Sequence, residues 1–384
     1  MKKSKGHICI FSAQYLPHMG GVENYTYNLS KSLISKGYRV TVVTSNTNNW
    51  NTKETVDGIS IIRFPVFNFI QGRYPIIKTN HCFRQLKKEI YSADYDFIIV
   101  NARFYIHSVF GLKMAYKRQI PSICIDHGTS HLTVNNKILD TIGGAYEHFI
   151  TMIDKAYCKD FYAVSPTSLK WLEHFHIKGK GILYNSIDPE SITKYQHEKG
   201  DSYRERFYLN QGTIMLTFTG RLLPEKGVPQ LISAVDRLVN EGADIQLFIA
   251  GEGPLVISDH SDKVHILGRI SFEHIIHLLV ESDIFILPSD SEGFSTSILE
   301  AGVCNCYIIA NDTGGIHEVL KNDEYGIVMN NNREIDIYYA IKKAINNKNQ
   351  WKNAEEKTEE NILKNFIWNK TANDVIKIRK QMMR

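Results

Sequence analysis

The chain has 384 residues. At roughly 100–200 residues per domain, that length favours two domains over one. Hydrophobic residues make up 43% and charged residues 22%, which excludes wholesale disorder, a collagen-like chain and a small disulfide scaffold. A formal net charge of +4 lacks the strong basic stripe of a dedicated nucleic-acid binder, so no nucleic acid is expected as a partner; the charge is compatible with phosphate ligands or an anionic membrane surface. The cysteines Cys9, Cys82, Cys124, Cys158, Cys304 and Cys306 form no CxxC pair and read as buried thiols in a reducing compartment. The basic Met1 to Gly6 leads into a strand-sized apolar run rather than a signal-peptide core, and no apolar stretch approaches the roughly 18 residues of a membrane span. The expected location is cytoplasmic, at most peripheral to the inner face of the cell membrane.

In chain order, His7 to Ala13 reads as a buried strand, followed by a loop with Gly20-Gly21 and a helix from Val22 to Lys36 that stops at Gly37. Tyr38 to Thr44, Ser60 to Phe64, Phe97 to Val100, Ser122 to Asp126, Phe161 to Val164 and Ile182 to Tyr184 read as further strands. Gln196 to Gln211 fits a linker with a short helix. A second cycle then begins: strands at Thr213 to Thr219, Gln246 to Ala250, Val264 to Leu267, Ile284 to Leu287 and Cys306 to Ala310. Helices are expected at Val228 to Asn240, Phe272 to Ser282 and Ile298 to Val303, and from Ile335 onward the chain reads as helical and charged. Strands alternating with helices imply an α/β fold with parallel sheets, here two doubly wound, Rossmann-like domains. The expected divisions are 1–195, 196–365 and a terminal helix over 366–384.

Ligands in such folds sit beyond the carboxyl ends of the strands, and the informative residues fall there. Gly220-Arg221-Leu222-Leu223-Pro224-Glu225-Lys226-Gly227 follows a strand and precedes a helix. A guanidinium and an ammonium at a strand tip suit an anion. For that pair alone, a solvated turn is the simpler reading. Ser291-Glu292-Gly293-Phe294-Ser295-Thr296-Ser297-Ile298-Leu299-Glu300 changes the balance. Ser295 or Thr296 is placed to cap a helix, whose free N–H groups suit a diphosphate. Eight helical residues rise about 12 Å, close to the span from a ribose to a sugar across a diphosphate. Glu300 is then placed for ribose hydroxyls and Glu292 for sugar hydroxyls. The Gly20-Gly21-Val22-Glu23 loop permits close backbone approach but is not a GxGxxG fingerprint. His127-Gly128 lies at a strand tip, where the imidazole can donate to or accept from a hydroxyl. Thr313-Gly314-Gly315 opens a helix. No Asp-x-Asp of the kind that holds a metal–diphosphate, no HExxH and no Ser/His/Asp order stands out, so neither a metal nor a cofactor is expected.

Taken together these motifs, with Asn185-Ser186-Ile187-Asp188, Gly251-Glu252-Gly253-Pro254, Leu267-Gly268 and Glu318-Val319, resemble those of the retaining, two-domain (GT-B) glycosyltransferases of family 4. The resemblance runs over most of the chain. It implies two Rossmann-like domains facing a cleft, with the final helix, from Phe366 and including Trp368, crossing back to the N-terminal domain. It implies that Arg221 and Lys226 bind the donor diphosphate, Glu300 the ribose and Glu292 the donor sugar. Gly220, Gly293 and the backbone of Phe294, Ser295 and Thr296 would complete the phosphate site. Arg269 and Ile270 would lie near the base, Gly20 and Gly21 across the cleft, and His127 near the transferred sugar. Gly21 and His127 would also meet the acceptor. Catalysis is thereby assigned to Arg221, Lys226, Glu292 and His127. The Ser295-Thr296-Ser297 triplet departs from the Gly-Leu-Pro frequent in that family, so donor identity does not carry over.

The implied reaction moves a sugar from a nucleotide-sugar, a UDP-sugar foremost, to a hydroxyl of a glycan or lipid-linked acceptor of surface polysaccharide or lipopolysaccharide type. Front-face attack with retention follows from the resemblance. The rivals are a nucleotide-sugar epimerase on the same fold and a non-catalytic nucleotide-sugar-binding protein. Lys78, Arg84, Lys87, Lys88, Lys113, Lys117 and Arg118, with Phe83, Leu86, Met114 and Tyr116 between them, offer a candidate face for anionic lipid. Solvated helix faces account for the same charges equally well.

Overall fold

The structure is a computed structural model that describes residues 4–18, 20–69, 74–131, 137–198, 200, 202–258 and 260–384. The chain divides into two compact units, 1–185 with 368–384 and 186–367. The division falls inside the Asn185-Ser186-Ile187-Asp188 segment, ten residues before the boundary expected at 195.

The first unit runs β1 (His7–Ser12), α1 (Gly21–Ser35), β2 (Arg39–Asn46), β3 (Lys53–Val56), β4 (Ile59–Phe69), β5 (Tyr74–Ile77), α2 (His81–Ser92), β6 (Phe97–Asn101), α3 (Ile106–Arg118), β7 (Ser122–Asp126), α4 (Lys137–Tyr157), β8 (Phe161–Ala163) and α5 (Pro166–Glu173). Its sheet has the order β3-β4-β2-β1-β6-β7-β8, with β5 paired to β4. The β4-β2-β1-β6-β7-β8 pairs are parallel, while β3 and β5 run antiparallel to β4. β1 from Ile8 to Phe11 and β6 from Phe97 to Val100 are fully buried, as central parallel strands covered by helices on both faces must be. Asn80 caps α2 through Phe83 N and Ser165 caps α5 through Ser168 N, so each chain turn into these helices satisfies an otherwise orphaned donor.

The second unit runs α6 (Pro189–His197), α7 (Tyr203–Arg206), β9 (Ile214–Thr219), α8 (Val228–Asn240), β10 (Ile245–Ala250), β11 (Val264–Gly268), α9 (Phe272–Glu281), β12 (Ile284–Leu287), α10 (Thr296–Val303), β13 (Tyr307–Asn311), α11 (Ile316–Val319), β14 (Ile327–Met329), α12 (Glu334–Asn346) and α13 (Trp351–Asn365). Its all-parallel sheet has the order β11-β10-β9-β12-β13-β14. The order reverses at β9/β12, so the loops after those two strands lie at the switch point where ligands of open α/β sheets bind. The final helix, α14 (Trp368–Met382), belongs to the first unit: Trp368 packs edge-on to Tyr25 of α1 and Arg379 pairs with Asp96.

Three expectations are corrected. Ile182 to Tyr184 is not a strand; only Ile182 bridges to Ala163, and the chain then leaves the sheet. Cys82 is half-buried, whereas the other five thiols are buried. Phe83, Leu86 and Met114 do not face a membrane; they are buried in the core of the first unit, and of the four interleaved apolar residues only Tyr116 is exposed. The exposed apolar stripe lies instead on α4, where Ile142, Ala145, Phe149 and Met152 recur at helical spacing on the solvent face. No helix among the described residues is long and apolar enough to cross a membrane.

Candidate functional site

In the second unit the loop after β9 carries Gly220, Arg221 and Lys226. Leu222 N bonds Glu252 O and Leu255 N bonds Leu222 O, which ties this loop to the one after β10. Arg221 is exposed, and its guanidinium makes no ion pair among the described residues. Gly227 caps α8 with φ +69°, and a Cβ there would lie 2.3 Å from Pro288 O; this sharp turn fixes the direction in which Lys226 leaves the chain. Lys226 Nζ reaches Glu292 Oε1 at 2.5 Å, with both side chains largely buried. Two motifs 66 residues apart thus meet at the β9/β12 switch point.

Glu292 and Phe294 rest on the glycine turn after β13. A Cβ on Gly314 would come within 3.0 Å of Glu292 Cβ, and one on Gly315 within 2.3 Å of the Phe294 ring. The Gly314-Gly315 pair is therefore small because the Glu292–Phe294 loop lies against it. Phe294 is buried and packs against Phe366 at 5.3 Å between ring centroids. Ser295 stands at the N-cap of α10, but its hydroxyl pairs with Ser297 Oγ at 2.8 Å instead of capping. The first-turn N–H groups from Thr296 onward are consequently not taken by a side-chain cap and can serve an anion. One turn further along, burial pushes the Glu300 carboxyl up to about 7. No cation or hydrogen-bond donor among the described residues reaches it, so no partner within the protein offsets that shift.

Arg269 is exposed and pairs with Glu252 at 3.1 Å, while Ile270 is half-buried against the core around Tyr203 and Phe248. Of these two, only Arg269 is therefore free to move toward a ligand.

In the first unit Gly20 is the N-cap of α1 and Gly21 its first residue. A Cβ on Gly21 would meet nothing within 4 Å, so the protein itself leaves that space open. His127 follows β7. Its Nε2 lies 3.2 Å from Asn101 Oδ1, and the Asn101 amide donates to Thr26 Oγ1 at 2.7 Å. With the amide nitrogen so committed, Asn101 offers only its carbonyl, and Nε2–H must donate. Nδ1 then carries the free lone pair, which makes His127 an acceptor toward a hydroxyl. Burial beside Tyr25, at 4.8 Å between centroids, pushes the imidazole down to about 3, so it is neutral throughout the physiological range.

Behind His127 lies a network that no sequence motif signals. Arg103 is fully buried and donates to Asp126, Thr151 and Glu147 at 3.3, 2.8 and 2.7 Å. Burial pushes Asp126 up to about 6 even with Arg103 beside it.

Comparison with known proteins follows this division. A family model described as Glycosyltransferase Family 4 matches residues 19–191, and one described as Glycosyl transferases group 1 matches 201–362. An uncharacterized glycosyltransferase of Methanocaldococcus jannaschii is 26% identical, with all of both chains covered. The GPI3 subunit of phosphatidylinositol N-acetylglucosaminyltransferase from Saccharomyces cerevisiae is 25% identical over 88% of this chain and 74% of its own. Among solved structures, Anabaena HepE in complex with UDP-glucose matches with a TM-score of 0.71 at 15% identity, over 97% of this chain and 99% of that one. The two family models between them take in both units and every strand-end motif described above, and the chain belongs to the family-4, group-1 glycosyltransferases, with the GT-B fold of two Rossmann-like domains.

Proposed function

We propose that this glycosyltransferase moves a sugar from a UDP-sugar to a hydroxyl of a lipid-linked or glycan acceptor, with retention of configuration and without a metal or cofactor at the donor site. The observation that carries the reading is the convergence, at one sheet switch point, of an anion-seeking cluster and an unpartnered, half-buried carboxylate. Arg221, Lys226 and the first turn of α10 supply positive charge and N–H donors for a diphosphate, and Glu300 supplies an acceptor for ribose hydroxyls. Glu292, held by Lys226, is placed for the hydroxyls of the donor sugar. HepE, the UDP-glucose-bound structural neighbour, supports the donor class. The yeast relative, named for phosphatidylinositol, supports a lipid-linked acceptor.

In the proposed step the acceptor oxygen forms a bond to the anomeric carbon as the bond from that carbon to the diphosphate oxygen breaks. The electron pair departs with the diphosphate, where Arg221, Lys226 and the helix N-terminus stabilise it, and the acceptor proton passes to a leaving phosphate oxygen on the same face. His127 accepts a sugar hydroxyl through Nδ1 and does not titrate. The α4 stripe of Ile142, Phe149 and Met152 supports a membrane-proximal acceptor, with these side chains entering the lipid interface.

UDP release, measured with and without a panel of polyprenyl-linked and phosphatidylinositol acceptors, tests this reading. Acceptor-dependent release, with a product whose anomeric proton coupling matches the donor's, is the expected result. UDP release without acceptor would favour hydrolysis or an epimerase-type reaction, and an inverted product would overturn retention.

A further inference from the structure

We propose that His131, His148 and His174 form a zinc-binding site in the first unit, fixing the loop that follows β7 to α4 and α5. His131 lies in that loop, His148 on α4 and His174 at the C-cap of α5. Their ligand nitrogens all fall within 4.8 Å of one another. His174 Nε2 lies 3.1 Å from both His131 Nε2 and His148 Nε2. Tetrahedral zinc, with Zn–N bonds of about 2.0–2.1 Å, sets its ligand nitrogens about 3.3–3.4 Å apart. The three ring centroids stand 4.9, 5.0 and 5.5 Å apart and the rings are mutually inclined by 52–76°, so they are not stacked face to face on one another.

Hydrogen bonds among the three rings alone do not satisfy this arrangement when the rings are neutral. Glu147 Oε2 accepts from His131 Nδ1 at 2.5 Å, which leaves His131 Nε2 with a bare lone pair. If His174 Nε2 bears a proton it can serve only one of its two neighbours. If it does not, it faces the His131 lone pair with a lone pair of its own. A metal ion satisfies all three nitrogens at once. The carboxylate behind a ligating imidazole is the support such sites use to fix the tautomer and raise ligand basicity. Here Glu147 is itself held by the buried Arg103 at 2.7 Å. Trp171 stacks on His174, 4.6 Å between centroids and 7° from parallel, and fixes that ring's plane. Three imidazoles suit zinc by softness and geometry, with the fourth position left to water.

The consequence for the first unit is mechanical. His131 lies four residues after His127, and Arg103 binds both Glu147 and Asp126, the residue before His127. A bound ion would hold the His131 end of the segment 127–131, while Arg103 holds Asp126 just before it. This inference stands apart from the proposed reaction and does not need it.

The test is a calorimetric titration of tag-free, chelator-treated full-length protein with zinc chloride, repeated with cobalt(II) chloride and monitored by visible absorption. One equivalent of zinc is expected to bind, with a tetrahedral cobalt spectrum, and zinc is expected to raise Tm. Affinity should fall at least 100-fold in His148→Ala and His174→Ala, both changes at exposed side chains. It should fall about 10- to 100-fold in Glu147→Gln. Unchanged far-UV circular dichroism would show that the variants are folded. No uptake by the native chain, or undiminished uptake by the His148→Ala/His174→Ala double variant, would overturn the proposal.

Discussion

Lys226→Ala is expected to lower kcat by about 100- to 1000-fold, the usual loss when one preorganised group facing a developing anion is removed. Lys226 is positioned by the Gly227 turn and lies on the short connection between β9 and α8, at the sheet switch point. Its ammonium is the positive charge nearest to Glu292 in that unit, and both are largely shielded from water, where a charge acts more strongly than on an open surface. The same shielding gives the variant a second signature. Glu292 loses its partner, so Lys226→Ala should also be destabilised by about 1–2 kcal/mol, well within what a folded domain tolerates. Lys226→Arg keeps the charge but broadens it, and should recover part of the rate while restoring the stability. Steady-state kinetics beside a thermal melt separates the two effects. Full activity in folded Lys226→Ala would remove the residue from the reaction.

Donor affinity is expected to depend on pH through Glu300. Burial pushes its carboxyl up to about 7, so near neutrality half of the free protein holds it protonated. In the proposed complex, ribose hydroxyls donate to the ionised form and lower its pKa. Affinity for a UDP-sugar should therefore be flat above about pH 7 and fall as pH drops below it, by up to tenfold per unit. A nucleotide-sugar is the right probe, because its diphosphate carries no group titrating near neutrality, whereas free UDP does. Folding stability should move the opposite way. A carboxyl whose pKa is raised on folding keeps its proton where the unfolded chain loses it, so stability falls as pH rises from about 4.5 to 7. Glu355 on α13, also pushed up to about 7 by burial, contributes to that stability trend and leaves the binding trend untouched. Glu300→Gln should flatten the binding profile, and a native profile flat from pH 5.5 to 8 would contradict the ribose assignment.

Much of this was legible in the sequence because parallel strands announce themselves. Runs such as Ile8 to Phe11 and Ile284 to Leu287 are buried on both faces and hence uniformly apolar, and their ends expose the loops that carry ligand chemistry. The meeting of Lys226 with Glu292 could be expected as two motifs but not as a 2.5 Å pair, since only the β9/β12 adjacency creates it. The edge strands β3 and β5 gave no signal: they are short, and the β3 pattern is half exposed. On α2 and α3 basic residues alternate with apolar ones as they would on a membrane face, yet that alternation is also the ordinary amphipathic pattern of a helix covering a sheet. On α4 the apolar face turns outward, and composition alone does not say which face of a helix meets solvent. The Arg103–Glu147–His131 chain and the histidine trio draw on the loops after β6 and β7, on α4 and on α5, so no spacing rule reaches them.

In the proposed function the second unit holds a nucleotide-sugar with Glu300 on the ribose. Ligand-observed NMR of the purified chain against a panel of UDP-, GDP- and ADP-sugars, with Glu300→Ala as the control, addresses it directly. Saturation transfer to the ribose and base protons of a UDP-sugar, lost in the variant, is the expected result. A folded protein that binds no nucleotide-sugar, or a Glu300→Ala variant that binds as well as the native chain, would contradict it.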